Sequence, residues 1–150
     1  MKLAKVVFFF DDNFDSFKAL VERTDYVCGF NNHNFDDNLC NAHGLTIPKE
    51  KSKDVLQMIW AALGLGCEFK RGTHAGYSLE AMVKTNCPDV KLKQFSGAMA
   101  PICYQTGKMG SVIDYCLHDV HMLKQLVNHI RLNGFLISPK NQTLKILIDF

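Results

Sequence analysis

Two short sets of residues have types and spacing suited to chemistry. The first is Tyr115 and Asp119, a phenol and a carboxylate four positions apart. On a helix that spacing puts them on one face, one above the other. The second is the stretch GFNNHNFDDNL at 29–39, a cluster of Asn and His followed by Phe35, Asp36 and Asp37. It follows a strand-like segment, and in open α/β sheets functional groups collect beyond the carboxyl ends of strands. A helix beginning near Asn34 offers its positive end to anions there. Each set also has a plain structural reading. The first is then a half-buried Tyr beside a solvated Asp, the second an Asn-rich turn with capping acids.

The elements that must position these residues follow from periodicity. Val112, Ile113, Cys116, Leu117, Val120, Leu123, Val127 and Ile130 recur at three and four, which predicts one helix over Gly110–Ile130. Gly110 stops what precedes it, and Ser111 with Asp114 makes a capping-box-like start. Leu3–Phe10, LAKVVFFF, reads as a buried strand. Asp11, Asp12 or Asn13 then caps a helix whose inner face is Phe14, Phe17, Leu20 and Val21. Tyr26–Phe30 is a second strand, and the two strands with the helix between them form a parallel βαβ unit.

Farther on, Thr46–Lys53 is a polar, basic loop. Asp54–Leu65 is an amphipathic helix capped by Asp54, closed by Gly64 or Gly66, with Trp60 in the core. Cys67–Tyr77 is a basic, Gly-containing loop, and Ser78–Thr85 a short helix with Leu79, Met82 and Val83 inward. Pro88–Lys108 has little periodicity. It carries Lys91, Lys93, Phe95, Tyr104 and Lys108, and lysines interleaved with aromatics suit a single strand of nucleic acid as well as an ordinary surface loop. Asn133-Gly134 ends the long helix, and Phe135–Ile137 with Thr143–Ile148 closes the chain as a hairpin.

Composition bounds the function without choosing it. The 150 residues are 47% hydrophobic and 21% charged, as expected of one globular α/β domain. A net charge of +2 permits a polyanionic partner but does not demand one. Six cysteines without a C-x-x-C pair, and a start with no cleavage site, predict reduced thiols in the cytoplasm rather than disulfides or structural zinc. No apolar run approaches a membrane span. No Gly-rich phosphate loop follows either strand, which argues against a cofactor-binding module.

Taken together, GFNNHNFDD and DYCLHD resemble the tyrosine-bearing branch of the DEDD 3′–5′ exonucleases, a ribonuclease-H-like superfamily. Asn31, Phe35 and Asp36 match that family's second motif, and Tyr115 and Asp119 its third. The flanks YSL, GAMAP…GK and NGFLISP come in the same order as in phage and bacterial members. The resemblance runs from about Tyr26 to the end of the chain. It implies a mixed sheet flanked by helices, and hydrolysis of nucleic-acid phosphodiesters at 3′ ends with Mg²⁺ or Mn²⁺. Asp36 and Asp119 would be metal-site carboxylates, Tyr115 would orient the attacking water, and Asn31 and Phe35 would contact the terminal nucleotides. The implied partner is single-stranded DNA or another 3′ end, in the cytoplasm, or the host cytoplasm of a virus. No membrane is implied, and the oligomeric state is left open.

One part of the pattern is missing. The family's first motif, Asp-x-Glu, occurs nowhere in this chain. Only 25 residues separate Asp11 from Asp36, so Leu3–Phe10 resembles the family's third strand and the first two strands are expected to be absent. Asp11 or Asp12 can replace one lost ligand but not the Glu. Either this is the C-terminal part of a longer exonuclease or the sheet has closed up around a shortened start, and two functions stand: an exonuclease domain, and a catalytically silent relative that binds single-stranded nucleic acid or a protein.

Overall fold

A computed structural model describes residues 5–92 and 97–150. The chain divides after Lys53 into two compact units. Both mix helices with short strands, so the class is α/β.

In the first unit a 3-10 turn at Asp11–Asn13 leads into helix α1, Phe14–Arg23. Phe14, Phe17 and Leu20 are half-buried and Val21 is buried, the inner face expected of this helix. The Phe17 ring lies 5.2 Å from Phe9 and 5.7 Å from Phe14. Asn13 stands at the N-cap, but its side chain bonds back to the Phe10 amide instead of capping the helix. The other end is closed from a distance. Lys51 Nζ donates to the carbonyls of Val21 at 2.6 Å and Glu22 at 3.1 Å, placing a cation at the negative end of α1. Strand β1 is Val27–Gly29, helix α2 is Asp36–Ala42, and strand β2, Ser52–Asp54, pairs with β1.

The expected βαβ unit does not form. Residues 5–10 are not a strand, and Val6, Val7, Phe8 and Phe10 are exposed; residues 3 and 4 lie outside the described residues. An apolar run becomes a buried strand only when a sheet receives its backbone groups, and β1 takes β2 as its neighbour instead. The described strands make two separate two-stranded sheets rather than one mixed sheet.

The second unit opens at Asp54, the N-cap of α3, Val55–Ala62. Its Oδ1 accepts from the amides of Leu56 at 3.0 Å and Gln57 at 3.4 Å. Gly64, at φ +72°, then reverses the chain, with the Leu65 amide on the Trp60 carbonyl. Asp54→Ala is expected to lower stability by about 1 kcal/mol, read as a shift in the urea midpoint. A short helix α4, Arg71–His74, interrupts the expected 67–77 loop. It buries His74 edge-on against Trp60, with ring centroids 4.7 Å apart. His74 Nε2 donates to the Gly66 carbonyl at 2.9 Å.

Helix α5, Leu79–Asn86, is the expected short helix; Ser78 stands before it as the N-cap, and Met82 and Val83 are buried. Helix α6, Met99–Gln105, lies in the region without clear periodicity. Helix α7 is Met109–Asn133, and it packs against α5, α6 and β3. Its start differs from the expected one. Lys108 is the N-cap, Gly110 and Ser111 are inside the helix, and the chain break is Gly107 at φ +73°. Its buried face also differs. Met122, Leu126, Val127 and Ile130 are buried, whereas Val120 is 60% exposed and Cys116 is exposed. Gly134, at φ +72°, ends α7. Strands β3, Phe135–Ile137, and β4, Thr143–Lys145, form the expected antiparallel hairpin with Leu136 opposite Leu144. Among the described residues no helix is long and apolar enough to cross a membrane.

Candidate functional site

The second-motif residues sit in the turn between β1 and α2. Asn31 adopts φ +63°, a left-handed conformation that Asn tolerates better than most residues, and its Oδ1 accepts from Asn34 Nδ2 at 3.0 Å. That bend leaves Phe35 at the N-cap of α2 with 65% of its surface exposed, and Asp36 exposed as the first helical residue. An exposed ring held beside a rigid turn offers a flat apolar face to a planar ligand.

The turn fastens the Asp37 carboxylate. Ser52 Oγ donates to Asp37 Oδ2 at 2.6 Å. Asn32 Nδ2 donates to Ser52 Oγ at 2.8 Å and to Asp37 Oδ1 at 3.3 Å. The Asp37 amide closes the loop on the Asn32 carbonyl at 2.8 Å. Asn32 is buried against Gly29, where an added Cβ would come within 2.6 Å of its side chain. His33 Nε2 donates to the Ser52 carbonyl at 3.1 Å. Asn32, Asp37 and Ser52 therefore hold the shape of the turn, and Phe35 stands exposed at its end.

The third-motif residues are one turn apart on α7, both half-buried. Tyr115 lines a groove of about 860 Å³ with Asp89, Val90, Lys91 and Leu92 on one side. On the other side are Asp114, Leu117, His118, His121 and Gln125 of α7. One wall is tied to the helix by His118, whose Nε2 donates to the Lys91 carbonyl at 2.8 Å. The imidazole in this motif thus braces the groove. Gly97 also approaches the phenol closely: a Cβ there would lie 2.8 Å from the Tyr115 hydroxyl oxygen. Gly97→Ala is expected to displace the Tyr115 ring at little cost in stability, visible as an altered Tyr115 environment by NMR.

Sequence reading placed Asp114 at the helix cap and left His121 and Gln125 unassigned. Their spacing carried a signal, because 114, 118, 121 and 125 recur at three and four and mark one face of the helix. Beside Asp119, partial burial and the nearby carboxylate raise the Cys116 thiol pKa, so Cys116 stays protonated at neutral pH. Of the lysine–aromatic set, Lys91 lines the groove and Tyr104 is 58% exposed on α6. Lys93 and Phe95 lie outside the described residues.

A two-metal phosphodiesterase needs a cluster of hard oxygen ligands around ions about 3.5–4 Å apart. Among the described residues no group of three or more His, Cys, Asp or Glu side chains is placed to hold a metal ion. Asp36 belongs to the first unit and Asp119 to the second. Asp11 and Asp12 form the 3-10 turn before α1. The Mg²⁺ or Mn²⁺ pair that the resemblance implies asks for more acids than the two motif carboxylates, Asp36 and Asp119. Compared with known proteins, the chain matches no family model, no curated protein and no solved structure.

Proposed function

We propose that the chain is a ribonuclease-H-like relative of the tyrosine-bearing DEDD exonucleases that binds single-stranded nucleic acid at its 3′ end and leaves it intact. The motif order Asn31, Phe35, Asp36, Tyr115, Asp119 supports the ancestry. The observation that carries the binding reading is the groove on α7, where Tyr115 stands among apolar and polar side chains. A groove of that size suits a ligand on the scale of a nucleotide. Within the second unit, Lys91 and Lys108 supply cations for phosphates.

The ligand count supports the reading that this chain by itself is silent in hydrolysis. The chain carries two of the family's four acids, and no cluster of three metal-ligating groups stands among the described residues. Two carboxylates attract Mg²⁺ weakly, and two-metal catalysis needs more.

The test is incubation of a 5′-labelled single-stranded oligonucleotide with Mn²⁺ and either the full chain or Asp119→Ala. Neither protein is expected to shorten the strand, and both are expected to retard it in a native gel. Mn²⁺-dependent shortening by the wild-type chain, lost in Asp119→Ala, would instead make it an active exonuclease and turn attention to Asp11 and Asp12.

A further inference from the structure

We infer that the exposed run at residues 5–10 associates with the same run of a second copy of this chain, as an antiparallel pair of strands about a two-fold axis. The surface lies wholly in the first unit and does not depend on nucleic-acid binding.

The run has the residue types of a strand without a strand's partner. Val6, Val7, Phe8 and Phe10 are exposed, and β-branched and aromatic residues fit a pleated surface. Phe9 is half-buried against Phe17, which holds the run on α1. Asn13 closes one edge. Its Nδ2 donates to the Phe8 carbonyl, its Oδ1 accepts from the Phe10 amide, and its own amide donates to the Phe10 carbonyl. Among the described residues no hydrogen bond reaches the N–H or C=O of Val7 or Phe9. In an extended chain alternate residues send these groups to opposite edges, so the edge of Val7 and Phe9 is open.

Charge selects a second copy as the occupant. Lys5 opens the run and Asp11 follows it, both exposed. Antiparallel pairing with Phe8 on the axis sets Lys5 of each copy opposite Asp11 of the other, Val6 opposite Phe10, and Val7 opposite Phe9. The hydrogen-bonded pairs are then Val7 with Phe9, the residues whose backbone groups are open. Phe8 meets Phe8 at a non-hydrogen-bonded position, where side chains come closest. Parallel pairing in register would instead set Lys5 on Lys5 and Asp11 on Asp11. Because Asn13 closes the far edge, the pairing stops at two copies.

The experiment is sedimentation equilibrium of the full chain at low salt. A monomer–dimer equilibrium is expected, with Kd on the order of 50 μM for so short a pair of strands. Lys5→Asp and Asp11→Lys each turn both attractive pairs into repulsive ones, and each is expected to raise Kd about tenfold. An equimolar mixture of the two variants regains the opposite-charge pairs in a heterodimer. It is expected to associate within about twofold of the wild type. Both positions are exposed, and the mixture separates pairing from any effect of a substitution on folding. A wild-type chain that stays monomeric at about 200 μM overturns the inference. So does association that both single variants leave unchanged, which places the contact elsewhere. A mixture that associates no better than either variant overturns the antiparallel pairing, and growth beyond the dimer overturns the closed edge.

Discussion

Asn86→Ala is expected to lower the unfolding free energy by about 3 kcal/mol, although the residue touches neither motif. Asn86 is the last residue of α5, buried, and it acts as a short stretch of strand beside β3. Its Oδ1 accepts from the Ile137 amide at 2.7 Å, and its Nδ2 donates to the Ile137 carbonyl at 2.8 Å. The same Nδ2 reaches the Met82 carbonyl at 2.8 Å. Alanine removes all of these and leaves both Ile137 backbone groups without that partner. An unsatisfied buried group costs roughly 1–3 kcal/mol, which sets the size of the effect. Urea denaturation followed by Trp60, the one tryptophan and 2% exposed, checks it. The midpoint should fall with an unchanged slope. A loss below about 1 kcal/mol would mean that water or a shifted strand meets the same groups.

Leu126→Ala carries a comparable effect, about 3 kcal/mol within the usual 2–5 for a buried leucine. Leu126 has no exposed surface and lies on α7 between Met122 and Ile130, which are equally enclosed. Truncation removes the apolar transfer term and opens a cavity that a close-packed interior fills poorly. The contrast within the helix is the sharper measurement. Val120 is 60% exposed and Leu132 is 84% exposed. Val120→Ala and Leu132→Ala are both expected to stay within about 0.5 kcal/mol of the wild type. A large loss at Val120 with a small one at Leu126 would mean that the helix turns the other face inward.

That contrast also shows what could be read from the sequence and what could not. The three- and four-residue spacing found α7, but Val120 and Leu126 both fit an apolar helix, and only the packing of α5 and β3 chooses between them. Features decided by neighbours along the chain were legible. Asp54 caps its helix, Gly134 ends α7, and the hairpin β3–β4 follows from local turn chemistry. Features decided by distant partners were not. LAKVVFFF reads as a strand for want of any local sign that no sheet receives it, and Ser52 in a basic loop gave no hint that it anchors Asp37. At the site, spacing identified Tyr115 and Asp119 as neighbours. The groove around Tyr115 depends on the segment at 89–92, which His118 ties to the helix, and that pairing spans 27 residues.

The measurement that tests strand binding most directly is an anisotropy titration of a 5′-labelled, single-stranded mixed-sequence 12-mer with the full chain, alongside the matching duplex. The account predicts saturable binding of the single strand, with Kd on the order of 10 μM at physiological salt, weakening as salt rises, and weaker binding of the duplex. No binding of the single strand at low salt, or equal binding of strand and duplex, would contradict it.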